Sequence, residues 1–264
     1  MQEKGEEADK EAIEGKSRMS VDMKTAILER LRTSEAVYVL MSESTRLPYV
    51  ECDAETFDDQ ILLFFAEEDA KKTAAGLISN KTAVRIARVE NKNLLAFYTS
   101  LFTLGVNCII VNDGTSRKAA VQLNELIRRE GADKLPKGQV RVENPELHLT
   151  AIYFVQELRK NPGQTMTEEL KELYEEMLAH FGRGRYIVAA GQDQGIPALK
   201  GNDGQIYQPL FTDFLEFQKF NRENLFRAMV VEADKIPKLI PKESSGVVVN
   251  PLGVNVQFKL ARRE

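Results

Sequence analysis

Two stretches of the chain, Val37–Val50 (VYVLMSESTRLPYV) and Tyr186–Leu199 (YIVAAGQDQGIPAL), align without a gap and place Pro48 on Pro197. Two later pairs of segments match in the same order: Phe64–Glu67 with Leu210–Asp213, and Ile109–Gly114 with Val247–Gly253, the latter with one extra residue. A unit of roughly a hundred residues that occurs twice indicates two similar domains.

Each copy has the same succession of predicted elements. Continuous apolar runs predict strands that are covered on both faces, and a change to helical spacing after the third strand predicts crossover helices. The expected strands of the first copy are Ala36–Met41, a short strand near Pro48, Gln60–Ala66, Ala83–Val89 and a last strand ending at Asn112; those of the second are Arg185–Ala190, a short strand near Pro197, Gln205–Phe211, Arg227–Glu232 and a last strand ending at Asn250. We therefore expect an α+β protein of two similar domains, each with a mixed sheet of about five strands.

Helices are predicted from caps and apolar spacing. One helix is expected to begin at Ser20 and another at a Thr165–Glu168 capping box. A third is expected to begin after the third strand, capped by Thr212 with the Asp213 carboxylate in its first turn. Three acids, Glu67-Glu68-Asp69, suit the first turn of a helix because the helix dipole is positive there. The segments Ser116–Glu130, Pro145–Lys160, Asn93–Leu104 and Asp234–Ile240 also have helical spacing.

The domain organisation follows from these patterns. Residues 1–17 hold six acids and three lysines with almost nothing to bury, which predicts a disordered acidic tail. We expect a first domain over 18–114, a helical connector over 115–163 and a second domain over 164–264.

Composition excludes several classes of protein. With 43% hydrophobic and 29% charged residues and no long apolar run, the chain is expected to be a globular protein that does not cross a membrane. The N-terminus lacks the pattern of a secretory signal, so the cytoplasm is the expected compartment. A net charge of −4 argues against nucleic acid as a partner, although Thr115–Val142 carries a local basic excess.

Residues that could carry catalysis are few. Cys108 lies in an apolar strand, and Cys52 is followed by carboxylates that oppose thiolate formation, so neither is a convincing nucleophile. His148 and His180 fall on separate predicted helices without the spacing of metal ligands. Phosphate-loop, dinucleotide and nucleophile-elbow motifs are missing from the sequence, and we expect no catalytic residues, no metal and no cofactor.

One run in the second copy is distinctive: Asn202-Asp203-Gly204, then Pro209–Asp213, then Gly246–Pro251. It resembles the N-terminal domain of the SseB family, named for enhanced serine sensitivity, in which a DG turn, a PLFT-type strand end and a closing NP turn recur in this order. The first copy departs from that pattern, with Ala66 aligned to the threonine and Asp113 to the proline. The resemblance implies no established reaction or cofactor.

The motif residues are the candidate binding positions. They are Asp203, Gly204, Phe211, Thr212, Asp213, Asn250 and Pro251, with Asn112 as the first-copy counterpart of Asn250. Turn and cap chemistry explains their types separately, so a structural interpretation is preferred to ligand binding. The aromatic side chains Phe214 and Phe217, three apart after the third strand, are expected in the core.

We expect a non-catalytic binding or adaptor protein of a bacterial cytoplasm, with another protein as its partner. The alternative is a small-metabolite sensor or an enzyme whose site lies at the domain interface, motivated by the matching Asn112 and Asn250. A third hypothesis, nucleic-acid binding through Thr115–Val142, would require steep salt dependence.

Overall fold

The computed structural model describes residues 21–112, 118–129, 135, 140–163, 165–191 and 196–260. The acidic tail expected over residues 1–17 and the helix start expected at Ser20 lie outside the described residues. Within the described ranges the class is α+β, as expected.

Eight α-helices are described. They are α1 Val21–Thr33, α2 Glu67–Ser79, α3 Asn91–Thr103, α4 Leu123–Leu126, α5 Pro145–Lys160, α6 Glu168–Arg183, α7 Phe214–Phe220 and α8 Ile236–Leu239; a 3₁₀ turn at Ala233–Lys235 precedes α8. None of them is long and apolar enough to cross a bilayer.

Twelve strands are described, six in each of two sheets. The first sheet holds β1 Ala36–Ser42, β2 Val50–Cys52, β3 Asp59–Phe64, β4 Val84–Glu90, β5 Cys108–Asn112 and β6 Lys118–Gln122. The second holds β7 Arg185–Gly191, β8 Leu199–Lys200, β9 Ile206–Phe211, β10 Phe226–Glu232, β11 Gly246–Val249 and β12 Val256–Lys259.

The two sheets share one topology. Their strand orders are β4-β1-β3-β5-β6 and β10-β7-β9-β11-β12, with β2 and β8 paired to β3 and β9. In each sheet the central pair, β3 with β5 or β9 with β11, is parallel and the other pairs are antiparallel. We call β1–β6 with α1–α4 the first half, and β7–β12 with α7 and α8 the second half. The expected mixed sheets in two similar halves are confirmed.

Strand register corrects the alignment of the two halves by one residue. Tyr38 pairs with Phe64 across β1 and β3, and Ile187, the counterpart of Tyr38, pairs with Phe211. Phe64 is therefore equivalent to Phe211, not to Leu210 as the sequence alignment suggests. Because the residues next to Phe64 and Phe211 are also apolar, the sequence alignment does not show this one-residue shift, whereas the backbone pairing does.

The hydrophobic core is continuous across the halves. One cluster of buried side chains runs from one face of the first sheet, through α1, α3, α5 and α6, to one face of the second sheet. The opposite face of the first sheet packs on α2, and that of the second sheet packs on α7. Both faces of β1 and β7 are thus covered, as their apolar sequences predict.

Three local predictions are wrong. The helix expected over Ser116–Glu130 is instead strand β6 followed by the single turn α4, and Ala119 and Val121 point inward with the period of a strand. The N-cap of α6 is Thr167, whose hydroxyl accepts the Leu170 amide at 3.2 Å, so the helix begins after the Thr165 expected to cap it.

The third concerns Phe214. Its ring centroid lies 5.9 Å from that of Phe217, yet Phe214 is 52% exposed while Phe217 is 3% exposed. Of these two side chains, Phe217 belongs to the core between α7 and the second sheet and Phe214 does not.

Candidate binding cleft and the polar cluster beneath it

A cleft of about 630 Å³ opens between the two halves, and we call it the interhalf cleft. Its lining residues are Glu43, Ser44 and Arg46 of the β1–β2 loop, Phe154, Val155, Leu158 and Arg159 of α5, Met166 and Tyr174 around α6, and the run Pro251–Gln257. The cleft is therefore built jointly by a loop of the first half, the connecting helices and the β11–β12 turn of the second half. Its volume is within the range of small-molecule and peptide-accepting pockets.

The β11–β12 turn that forms one wall is held by Asn250. The amides of Gly253 and Asn255 donate to the Asn250 carbonyl at 2.9 and 3.0 Å. Asn250 and Asn255 adopt left-handed backbone conformations, with φ of 48° and 51°, which asparagine tolerates better than most residues. A Cβ at Gly253 would lie 2.9 Å from Oε2 of the buried Glu216, so a larger residue there would require the Glu216 side chain to shift.

The side chain of Asn250 is fully buried in a polar cluster beneath this turn. Its Oδ1 accepts the Thr212 amide at 3.0 Å, and its Nδ2 donates to the Thr212 hydroxyl at 2.8 Å. The hydroxyl in turn donates to Asp213 Oδ2 at 2.8 Å. The strand end of β9 and the turn after β11 are thus joined by side-chain hydrogen bonds.

His148 of α5 completes the cluster and is itself fully buried. Its Nδ1 lies 3.1 Å from the Thr103 carbonyl and 3.5 Å from Asp213 Oδ2, while Nε2 lies 3.3 Å from Asn250 Nδ2. The Thr103 carbonyl and the Asp213 carboxylate are acceptors, so Nδ1 carries a hydrogen; Asn250 Nδ2 is a donor, so Nε2 accepts. The donor set assigns the Nδ1–H tautomer.

Asp213 is a buried carboxylate with a lowered pKa. Burial alone would raise its pKa, but hydrogen bonds from His148, the Glu216 amide and the Thr212 hydroxyl bring it below the usual range. Asp213 also caps α7, since its Oδ1 accepts the Glu216 amide at 3.0 Å. The sequence predicts Thr212 as the cap with Asp213 in the first turn, and the structure places the cap one residue later, at Asp213. The Asp213 carboxylate serves the cap and the cluster together.

Helix α5 connects the cluster to the first half. Near its start, the Asn144 side chain donates to the carbonyls of Arg185 and Thr212, both at 2.7 Å. Two turns beyond His148, Gln156 Nε2 donates to the Val50 carbonyl at 2.9 Å and its Oε1 accepts the Val50 amide at 3.3 Å. The connector helix thus bonds to the second half near one end and to the first half near the other.

The structure brings together only some of the motif residues. Thr212, Asp213 and Asn250 form the cluster, and Pro251 lines the cleft above it. Phe211 is buried on the opposite face of the sheet, against α7.

Asp203 and Gly204 lie apart from the cluster, in the β8–β9 turn. Asp203 accepts the Gln205 amide at 3.0 Å and the Tyr207 hydroxyl at 2.7 Å. Gly204 adopts a positive φ of 78°, as glycine in a tight turn readily does. These two residues shape a hairpin.

Among the described residues of the first half, the counterparts of Thr212 and Asp213 are not polar. Asn112 occupies the register position of Asn250, but it is half-buried at the end of β5. With the corrected register, Phe65 is the counterpart of Thr212 and Ala66, the N-cap of α2, is the counterpart of Asp213. Neither offers a side-chain hydrogen bond, so the polar chemistry belongs to the second half.

A second groove lies on the other side of α5. It is lined by Tyr49–Cys52, by Tyr153, Gln156, Glu157 and Lys160 of α5, and by Glu169, Glu172, Leu173 and Glu176 of α6.

The two cysteines have raised pKa values. For Cys52, which is largely exposed, partial desolvation and the nearby Asp59, Asp53 and Asp58 raise the pKa; for the buried Cys108, burial raises it to about 11. Both shifts disfavour thiolates, as expected from the sequence.

The basic stretch Thr115–Val142 is only partly described, and Arg117 lies outside the described residues. Arg129 forms an ion pair with Glu143 and stacks over Phe102, 4.9 Å from its centroid. Arg141 lies 3.9 Å from the same carboxylate. These two arginines are compensated by an acid rather than presented as a free basic face.

The sequence gives no signal for Asn144, Arg46 or Arg159 as site residues, and His148 is considered there only as a metal ligand. A lone histidine on a helix gives no spacing signal, and a loop arginine and a helix arginine far apart in sequence give none either. In the part of the chain that is described, no group of three potential ligands could hold a metal ion.

No family model matches the chain. No curated protein matches it. Two solved structures are similar over most of their length: Tic22 of Anabaena, a protein-transport protein, at 14% identity and a TM-score of 0.22 over 81% of this chain and 84% of that one, and Tic22 of Plasmodium falciparum, at 14% identity and a TM-score of 0.23 over 84% of this chain and 90% of that one. Scores this low do not establish a shared fold, and neither similarity assigns a role to this chain.

Proposed function

We propose that this chain is a non-catalytic adaptor of the SseB type in a bacterial cytoplasm, and that it binds a segment of another protein in the interhalf cleft. The observation that carries the proposal is the joint construction of that cleft by both halves and α5. The resemblance of Asp203–Pro251 to SseB supports the family part. A solved SseB N-terminal domain with a strand order unlike that of the second half would contradict it.

The buried cluster favours binding over catalysis. His148 and Asp213 would be the natural acid–base pair, but their side chains are 0% and 2% exposed. A substrate atom cannot reach a group so enclosed, and a general base must come within hydrogen-bond distance of the proton it removes. The pair therefore supports the turn that walls the cleft.

The exposed apolar rim favours a protein as the occupant. Met166 and Leu252, which line the cleft, are 44% and 41% exposed. Large apolar side chains that remain accessible beside a concave surface are typical of protein contact sites. A partner segment would cover them, and a small polar metabolite would not.

A photo-crosslinking residue at position 252 tests this proposal. In a bacterial lysate we expect it to capture a defined partner through the cleft, identified by mass spectrometry of the crosslinked peptide. The same residue at position 78 is the matched control, because Ile78 is 56% exposed on α2 and lies away from the cleft. Identical products from both positions, or none from 252, would refute binding in the cleft.

A small-metabolite sensor is the second candidate, and the volume of the cleft favours it. Volumes of about 300–1,000 Å³ are typical of ligand pockets. A thermal-shift screen with amino acids and nucleotides separates the two candidates, since a ligand at about 100 times its Kd adds about 2.7 kcal/mol to stability. A shift with a metabolite that also blocks crosslinking at position 252 would favour the sensor.

A further inference from the structure

The charged side chains of the interhalf cleft are not balanced. Three residues that line it carry charge: Glu43, Arg46 and Arg159. Glu43 already faces Arg85, with its Oε1 3.5 Å from Arg85 Nε. Within the described part of the chain, neither Arg46 nor Arg159 has an ion-pair or hydrogen-bond partner for its guanidinium group. The cleft therefore presents two uncompensated cations.

Lys160 and Arg32, which lie beside other cavities, are engaged, whereas Arg128 beside the same cavity as Arg32 has no ion-pair or hydrogen-bond partner for its guanidinium group among the described residues. In the second groove, Lys160 pairs with Glu157 at 2.6 Å. In a third cavity, beside α3 and α4, Arg32 donates to the carbonyls of Glu125 and Leu126, both at 3.1 Å.

Arg46 is also held in a costly backbone conformation. Its φ is 59°, and its amide donates to the Ser42 carbonyl at 2.9 Å in the β1–β2 turn. A residue with a Cβ is disfavoured in the left-handed region, where glycine or asparagine is tolerated better. The turn fixes the Arg46 backbone at the mouth of the cleft, so its side chain starts from a defined position.

Apolar surface adjoins both cations. Arg159 follows Leu158 in the last turn of α5, and both side chains line the cleft. The exposed Met166 and Leu252 complete the rim. A ligand that satisfies this surface needs a carboxylate next to an apolar group. Guanidinium groups bind carboxylates with paired, charge-assisted hydrogen bonds.

We propose that the interhalf cleft recognises an acidic segment of a partner protein, in which Asp or Glu side chains meet Arg46 and Arg159 and a neighbouring apolar side chain contacts Met166 and Leu252. This inference rests on the proposed function and names its partner chemistry. The second groove, with four glutamates of α5 and α6 around one lysine, would repel the same segment, so charge also determines which face of α5 is used.

Selection from a random 12-residue display library tests the inference without assuming a sequence. We expect the wild-type protein to enrich peptides with Asp or Glu beside Leu, Ile, Phe or Met. The Arg46→Gln and Arg159→Gln double variant should lose this enrichment. Gln keeps a Cβ at position 46, so the backbone conformation is not relieved. Arg222→Gln is the control, because Arg222 is exposed and lies outside the cleft.

Calorimetry with the best selected peptide then measures how much each arginine contributes to affinity. By calorimetry we expect each single variant to weaken binding about fivefold, added salt to weaken it further, and Arg222→Gln to leave it unchanged. Circular dichroism of the variants should match the wild type, because both arginines are exposed.

Several outcomes would overturn the inference. The first is that the wild type selects peptides no richer in Asp and Glu than those selected by the double variant. The second is that a peptide whose Asp and Glu are replaced by Asn and Gln binds as tightly as the original. The third is that succinate binds as tightly as the peptide. If crosslinking at position 252 succeeds while these results are negative, the proposed function stands and only the acidic specificity fails. If both fail, the cleft is not a protein-binding site.

Discussion

The side-chain nitrogen Nδ2 of Asn250 lies 3.3 Å from Nε2 of His148, although 102 residues separate the two in sequence. Through this contact the connector helix α5 supports the β11–β12 turn, which forms a wall of the interhalf cleft. The buried polar cluster of the second half therefore helps to set the shape of the cleft.

Replacing Asn250 should destabilise the protein strongly. Asn250→Ala leaves the buried Thr212 amide and His148 Nε2 without partners and puts alanine at a φ of 48°. We expect a loss of about 2–4 kcal/mol in the free energy of unfolding, measured in urea. Asn112→Ala is the matched control and should cost less, because Asn112 is half-buried. Equal losses would contradict a special role for Asn250.

A double-mutant cycle should show coupling between His148 and Asp213. His148→Leu leaves the buried carboxylate without its strongest partner, which should cost about 3–5 kcal/mol. In the Asp213→Asn background the same change should cost less, and the difference should be about 1–3 kcal/mol. Additive losses would show that the two side chains contribute independently.

Acid should weaken the fold through Asp213. Its pKa is lower in the folded chain than the ordinary value of about 3.9, so below about pH 5 the unfolded chain binds the proton more readily. The stabilisation is complete above that ordinary value and disappears as pH falls through the lowered pKa. The urea midpoint of the wild type should fall more steeply between about pH 5 and pH 3 than that of Asp213→Asn. If the urea midpoints of the two proteins fell equally with pH, Asp213 would not be the source of the acid sensitivity.

The two thiols should react very differently. Cys52 is exposed and Cys108 is buried, with a pKa raised to about 11. A colorimetric disulfide reagent should modify one thiol in the native protein and two in denaturant. The native reaction should be slow at neutral pH and faster at high pH, because burial and three neighbouring aspartates raise the Cys52 pKa. A native Cys52→Ser protein that still reacts rapidly would disprove this assignment.

Much of the fold could be predicted because its signals are local. Helix α5 spans Pro145–Lys160 as predicted, and its limits are set locally, by proline at its first position and by Asn161-Pro162-Gly163 after its end. Strand β6 could not be predicted from such local signals. The spacing of Leu123, Leu126 and Ile127 is helical, and the alternation of apolar residues along the five residues of β6 is too short to outweigh it.

The candidate site could be predicted only in part because its contacts are long-range. Thr212, Asp213 and Asn250 stood out through their motif, yet His148 is 64 residues from Thr212 and had no motif of its own. Arg46 and Arg159 meet in one cleft only because the β1–β2 loop and α5 pack together. Sequence patterns report spacing along a helix or strand, and these approaches depend on tertiary packing.

Helix α5 has a mechanical consequence for any ligand. Its contact with Asn250 of the second half through His148 and its contact with Val50 of the first half through Gln156 are about 12 Å apart at the rise of an α-helix, and His148 also contacts the Thr103 carbonyl of the first half. Because a rigid rod of fixed length separates the walls, the gap between them is set before a ligand arrives. Affinity can then come from a preset fit, without the cost of closing one half on the other.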